Sequence, residues 1–348
     1  MTLTDEQLQR YSRMLALRDF SEEDLESIMR STVTVVGAGG LGSPVLTLVT
    51  ALGFGTVRVI DQDLVDLSNL QRQTLYRMGD IGQPKVEAAV ETLSKMNPDV
   101  HLEPIMASIH HGNAENLLRG SNVVLDGLDT IQARRAVNIA TQRLRIPYVY
   151  AGAIEYYGNV STFLPGKTGC LQCLLGDARD DPERTCARVG VTPTLLSVVA
   201  AIEVQEAVSI VTSRQPSLAG RLMHIDIRDL SFDSFEISRT DNCPICSDST
   251  EVKPQMSEGL SVTMLCSNSF NITPPQTLAL DLEAIGKRLQ DRYKVRVSKL
   301  FLAVEVEPDV TITVMKKGTA VVKGVTNASR ALEIYKTVVE DGVSQPGQ

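Results

Sequence analysis

The sequence predicts an α/β protein, built on a doubly wound, mostly parallel sheet and followed by a small second domain of strands and helices. Three observations carry this expectation. Short β-branched runs alternate with amphipathic helical stretches through the first two thirds of the chain, the pattern of a parallel sheet covered on both faces. A glycine-rich turn at residues 37–42, GAGGLG, joins the first run to the first long apolar helix. A polar stretch at 248–258 then separates residues 1–247 from a remainder, 259–348, with its own element pattern. The 348 residues suit two domains of ordinary size.

The formal net charge of −8 argues against a general nucleic-acid binder, which would need clustered Lys and Arg. The N-terminus, MTLTDEQLQRYSRML, is polar and acidic and reads as neither a signal nor a transit peptide. No uninterrupted apolar run reads as long enough to span a bilayer, so a cytoplasmic protein with no membrane partner is expected.

Residues 2–30 read as helical, with Thr4 and Gln7 in a capping-box pattern and Leu8, Tyr11 and Leu15 at helical spacing. Arg10 and Arg13 flank Tyr11 and, taken alone, read as a solvated helix face. Val33–Val36 is the first strand, followed by Gly37, Gly39 and Gly42 in G-x-G-x-x-G spacing, with Gly40 in the same loop. The first glycine permits the turn, the second lets a phosphate approach the backbone, and the third lets the helix pack closely. The helix N-terminus adds free N–H groups for an anion. Val57–Ile60 is the second strand and ends at Asp61, about 20 residues after the glycines, where an acid binds a ribose hydroxyl in a Rossmann-like unit. A nucleotide with a free ribose follows, its identity open; a turn that only packs a helix is the alternative.

From Pro84, KVEAAVETLSKM is a periodic helix stopped by Asn97 and Pro98. His101–Ile105 and Asn122–Leu125 are further strands. Beyond the second lies DGLDT, where Asp126 or Asp129 could face the nucleotide and hold magnesium, and where Asp129 could equally cap the helix starting near Thr130. Residues 147–164 carry more strand signal, broken at Gly158. Two C-x-x-C pairs, Cys170/Cys173 and Cys243/Cys246, read as a tetrahedral structural zinc site, with redox dithiols as the alternative. Four thiolates would leave no open position for a catalytic water.

The polar loop after the first pair carries Cys186, flanked by Arg184 and Arg188, where positive charge would favour the thiolate. Thr192 and Pro193 open a helix apolar on nearly every side, and Met223–Ile227 is a short strand. The remainder reads as strands at Leu260–Leu265, Phe301–Val306, Thr311–Val314 and Ala320–Lys323. Its helices lie around Leu282–Leu289 and Ala328–Val339. Cys266 reads as a packing residue.

The residues after Asp61 and Asp63 separate the chemistries. Asn69, Arg72, Gln73 and Lys85 put fixed cations beside a phosphate loop, which suits an enzyme that expels pyrophosphate from ATP, because charge develops on the leaving phosphates. An NAD-dependent oxidoreductase and a non-catalytic, zinc-stapled nucleotide-binding scaffold are the rival classes.

GAGGLG, the acid-rich run leading into SNLQRQ, GQPK, DGLDT and the paired C-x-x-C motifs closely resemble the E1-like activating enzymes of the ThiF/MoeB/HesA family, over about residues 5–247. The resemblance implies adenylation of the C-terminal carboxylate of a small β-grasp ubiquitin-like or sulfur-carrier protein, with ATP, Mg2+ and Zn2+. It implies that Asp61 holds the ribose, that Asn69, Arg72 and Lys85 hold the phosphates, and that Asp129 holds magnesium. Asp63, Gln73 and the loop glycines would complete the nucleotide site. Arg13 would reach the nucleotide of the other subunit of a homodimer, and Cys186 falls where thiol-transferring members carry their cysteine. Thr130 departs from the family, where Asn is common. No rhodanese domain follows, so sulfur would come from a separate donor. The C-terminal domain looks like an appendage of some members, with partner recruitment a possible role.

Overall fold

The structure, a computed structural model, describes residues 3–181, 186–247, 260–265, 269–274, 278–298 and 301–340. The polar linker at 248–258 and Cys266 lie outside the described residues. The chain divides into two units, Met1–Ile105 with Ala114–Val252, and Met106–Asn113 with Lys253–Gln348.

The first unit opens with α1 (Asp5–Arg10), α2 (Ser12–Leu15) and α3 (Glu22–Arg30), so the expected helical region is three short helices. The capping box at Thr4 and Gln7 is present. Then come β1 (Thr32–Val36), α4 (Gly42–Leu52), β2 (Thr56–Asp61), α5 (Lys85–Met96), β3 (His101–Met106), α6 (Ala114–Leu118), β4 (Val123–Asp126) and α7 (Ile131–Leu144). They are followed by β5 (Tyr148–Ile154), β6 (Tyr157–Phe163), α8 (Leu171–Leu175), α9 (Cys186–Val189), α10 (Pro193–Val211), β7 (Arg221–Asp226) and β8 (Ser231–Glu236).

These strands form one sheet in the order β3-β2-β1-β4-β5-β6-β7-β8. β1 pairs in parallel with β2 and β4, and β4 with β5, while β5 through β8 are joined antiparallel. The chain therefore reverses its direction of travel between β1 and β4. Because crossovers are right-handed, that reversal puts α4 and α5 on one face and α7 on the other, and it opens a crevice at the carboxyl ends of β1 and β4. The β-branched run of β1 suits this central place: Val33, Val35 and Val36 are all buried.

One expectation changes. Gly158 does not break the strand signal. It lies inside β6 opposite Ala153, and the chain instead turns at Glu155 and Tyr156, with Glu155 at φ 52°. A Cβ at Gly158 would sit 2.5 Å from Val199 Cγ2 and 3.1 Å from Leu195 Cδ1, so this glycine lets α10 lie close on the sheet. By length and composition α10 would be long and apolar enough to cross a membrane, although Glu203 and Glu206 interrupt its apolar run. Here it packs on β4, β5, β6 and α4 and buries Glu203 and Glu206. The edge strand β8 had no clear periodic signal, since five of its six residues are exposed.

The second unit contains β9 (Ser261–Leu265), β10 (Ser269–Thr273), α11 (Leu282–Leu289), β11 (Lys294–Val297), β12 (Phe301–Glu307), β13 (Val310–Met315), β14 (Ala320–Lys323) and α12 (Ala328–Glu340). Its antiparallel sheet runs β11-β12-β13-β14-β10-β9. Ile285, Leu289, Ile334, Tyr335 and Val338 of the two helices share one core with Leu302, Val304, Ile312, Val314 and Val322 of the sheet.

Candidate active site

The turn after β1 is held by three glycines in mutual contact. A Cβ at Gly37, whose φ is +99°, would stand 2.3 Å from the Gly127 carbonyl oxygen; one at Gly42 would stand 1.9 Å from the Gly37 carbonyl oxygen. Gly127, in the DGLDT turn, is equally constrained, with a Cβ 2.4 Å from the same Gly37 oxygen. The phosphate loop and the DGLDT turn thus lie backbone against backbone. At Gly39 the space is open, its nearest neighbour being Gln73 Nε2 at 3.9 Å, and at Gly40 the Arg72 side chain passes 3.5 Å away.

Asp61, at the end of β2, accepts from the Ala38 N–H at 2.7 Å and from the Asp63 N–H at 2.7 Å. Its carboxylate therefore faces the glycine loop. Lys85, the first residue of α5, is buried and reaches back to Asp63, with Nζ 2.9 Å from Oδ2. Burial opposes a charged lysine, but Asp63, Asp61 and Asp129 act on Lys85 and hold the ammonium well above its ordinary range. Burial raises the Asp61 carboxyl above its usual range; Lys85 opposes this and Asp63 adds to it. Tyr76 Oη donates to the Ala38 carbonyl at 2.7 Å and braces the loop from below.

The short 3-10 turn Leu67–Asn69 supplies the remaining groups. Asn69 is buried and accepts from the Asp66 N–H at 3.2 Å, and Arg72 donates to the Ser68 carbonyl at 2.8 Å. Gln73 is 3% exposed, and its buried Oε1 has no hydrogen-bond partner among the described residues. An unpaired amide oxygen in a polar cleft fits a ligand hydroxyl or a bound water. Asp61, Arg72 and Gln73 are thus brought against Gly37–Gly42, with Lys85 held beside them on Asp63, while the hydrogen bonds of Asn69 go to its own turn. Arg13 lies exposed on α2, with no ion pair resolved among the described residues.

DGLDT divides its two acids between roles. Asp126 is fully buried and accepts from the Leu128 N–H at 2.9 Å, Arg134 Nε at 3.0 Å and Tyr148 Oη at 2.5 Å. Arg134 also donates to the Leu128 and Ala151 carbonyls. Asp126 therefore shapes the turn from beneath and is committed to protein partners. Its own N–H donates to Glu203 Oε1 at 2.5 Å, and burial next to Asp126 pushes the Glu203 carboxyl well up, toward the neutral acid. Asp129 is exposed and does not cap α7; Thr130 does, accepting from the Ala133 N–H. Asp129 thus stays available to a cation, within electrostatic reach of Lys85.

The four cysteines converge. Their sulfurs all lie within 4.8 Å of one another, with Cys170 to Cys243 at 3.8 Å and Cys173 to Cys246 at 3.5 Å. A tetrahedron with metal–sulfur bonds of about 2.3 Å has edges of about 3.8 Å. Asn138 orients one corner, donating to Cys170 Sγ at 3.6 Å and accepting from the Leu171 N–H. Burial pushes the Cys170 thiol up to about 11. Burial also opposes ionisation of Cys173, yet the Thr240 N–H at 3.5 Å helps bring it down to about 7. Four sulfurs this close together become four thiolates only with a cation among them to offset their mutual repulsion, so the donor set fits zinc.

Cys186 begins α9, and its side chain lies outside the described residues. Sequence reasoning missed Gly127, Tyr76, Arg134, Tyr148, Glu203 and Asn138. Only Gly127 carried a legible signal, a glycine just past a strand.

A sheet in 3-2-1-4-5 order with a glycine loop, a strand-end acid and a buried lysine at its switch point has the architecture of the nucleotide-binding α/β proteins. The ThiF family profile matches residues 11–245, and the chain belongs to that family. It is 36% identical over 256 residues to the sulfur carrier protein adenylyltransferase of Thermus thermophilus, covering 71% of this chain and 94% of that one. It is 28% identical over 331 residues to the sulfur carrier protein ThiS adenylyltransferase of Bacillus subtilis, covering 94% of this chain and 98% of the relative. The crystal structure of Escherichia coli MccB shares the fold, with a TM-score of 0.63 and 21% identity over 72% of this chain and 74% of MccB.

Proposed function

We propose that this chain adenylates the C-terminal carboxylate of a small β-grasp, ubiquitin-like or sulfur-carrier protein. The carboxylate, ionised at neutral pH with an ordinary pKa near 3.5, attacks the α-phosphate of ATP; the new P–O bond forms as the bond to pyrophosphate breaks. No general base is required, so the enzyme supplies alignment and charge stabilisation. Asp61 and Asp63 take the ribose side, with Gln73 beside it. Gly37, Gly39, Gly40 and Gly42 take the phosphates along their backbone, and Asn69, Arg72 and Lys85 take the charge that develops on pyrophosphate. The single observation that carries this reading is Lys85, a buried ammonium kept charged between Asp63, Asp61 and Asp129 at the edge of the glycine loop.

Asp129 would hold Mg2+, which when bound neutralises phosphate charge. Cys170, Cys173, Cys243 and Cys246 would hold Zn2+, which staples α8 to the segment after β8. Arg13 reaches the nucleotide of the other copy in a homodimer. Cys186, or an external persulfide donor, takes the activated acyl group as AMP leaves. Residues 1–247 form the adenylation domain and 259–348 an appendage that recruits the partner.

Carrier-dependent exchange of labelled pyrophosphate into ATP tests the reading. Asp129→Ala should abolish exchange, while Cys186→Ala keeps it and loses only the acyl-thiol adduct. Loss of exchange in folded Cys186→Ala would remove the division between adenylation and transfer.

A further inference from the structure

Beyond the nucleotide site, one acid from a distant loop closes the start of α7. Asp180 accepts from the Ile131 N–H at 2.6 Å through Oδ1 and from the Gln132 N–H at 3.2 Å through Oδ2. One turn along the helix, Arg135 donates to the Gly176 carbonyl at 2.8 Å, to the Ala178 carbonyl at 2.7 Å and to Gln172 Oε1. Gln172 Nε2 in turn donates to the Gly176 carbonyl at 2.8 Å. An exposed loop would normally satisfy its carbonyls with water. Here one guanidinium takes two of them while a carboxylate neutralises the positive end of the same helix. The other side of the loop is also tied down: the Glu155 N–H donates to the Gly190 carbonyl at 2.8 Å, and the Thr192 N–H donates to the Glu155 carbonyl at 3.1 Å.

We propose that Asp180 and Arg135 are positioning residues, a latch that anchors the segment carrying Cys186 to α7, two residues from Asp129. This rests on the proposed role of Cys186. Cys186 is six residues from Asp180 and four from Gly190. At about 3.5 Å per extended residue, it can stray no more than about 21 Å from the first anchor and about 14 Å from the second. With the latch intact both limits hold at once. Without it only the second remains, and the encounter between thiol and acyl-adenylate loses its effective concentration.

Limited trypsin digestion of the full chain, with cleavage at Arg179 and Arg188 followed by mass spectrometry, reads the latch without reference to activity. Asp180→Ala and Arg135→Ala should each speed that cleavage at least tenfold at unchanged melting temperature, with Asp180→Asn in between because it keeps one acceptor oxygen but no charge. Cleavage of folded Asp180→Ala within twofold of the parent rate overturns the proposal. In the carrier assay, Asp180→Ala should keep pyrophosphate exchange within about twofold while the yield of Cys186 adduct falls at least tenfold. An equal fall in both overturns the positioning role. Absence of exchange in the unaltered protein would sink the adenylation reading alone, leaving the cleavage rates to decide the latch.

Discussion

Replacing Lys85 with Met keeps the length of the side chain and removes the cation. Lys85 Nζ lies 2.9 Å from Asp63 Oδ2, and the two side chains are 6% and 34% exposed. At about 4 Å between charge centres and an effective dielectric near 20, their attraction is about 4 kcal/mol. Water reaches Asp63 and screens roughly half of that, so the variant should lose about 2 kcal/mol of stability at neutral pH. The loss should depend on pH with a defined sign. The Asp61 carboxyl already stands above 3.8 in the folded protein because burial lifts it, Lys85 opposing the rise. The folded state therefore holds that proton more tightly than the unfolded one, and stability falls as pH climbs through the window between the two values. Without Lys85 the upper edge of the window moves higher, so the destabilisation measured by urea unfolding should be larger at pH 8 than at pH 5. In the exchange assay, loss of a preorganised cation at the phosphates should cost about 3 to 4 kcal/mol of transition-state stabilisation, roughly 10²- to 10³-fold in rate. Exchange within tenfold of the parent, or a greater stability loss at pH 5 than at pH 8, would refute the role given to this lysine.

Other outcomes follow from the same contacts. The purified protein should carry one zinc per chain by elemental analysis, and Cys243→Ser should lose it together with several degrees of melting temperature; unchanged metal content would exclude the four-sulfur site. Gly158→Ala should lower stability by about 1 to 3 kcal/mol, because its methyl group meets Val199 at 2.5 Å, and should do so by moving the urea midpoint without altering the slope. Glu203→Gln should keep the acceptor for the Asp126 N–H but set an amide NH2 where Oε2 has no partner among the described residues, at a cost of about 1 to 3 kcal/mol. Asp126→Asn, which strands the Arg134 guanidinium, should cost about 3 kcal/mol or more in the same unfolding assay.

The order of strands and helices around the nucleotide was legible in the chain because it is written locally. β-branched runs, a glycine loop and an acid at a strand end act within about thirty residues, and the periodicity of α5 reports its own buried face. The C-x-x-C pairs were legible for a similar reason, each pair being a local spacing that a tetrahedral metal requires. The loop glycines, Asp61, Asp63, Asn69, Arg72, Gln73 and Lys85 are therefore candidates that residue type and position alone suggest.

What required the folded chain was every relation set by packing between distant segments. Asp126 and Asp129 are near-identical in sequence terms. Only the arrival of Arg134, Tyr148 and Glu203 around one of them, and Thr130 capping the helix beside the other, tells the buried brace from the exposed acid. Gly158 reads as a strand breaker until α10 is laid against it, and α10 reads as featureless until Glu203 and Glu206 are seen turned into polar partners at the sheet. Asp180 belongs to a loop with no periodicity at all, and its partner N–H groups lie 48 and 49 residues earlier. Local sequence specifies which elements form and which end of the sheet can bind phosphate. The pairing of buried charges is decided by three-dimensional proximity, and no spacing along the chain encodes it.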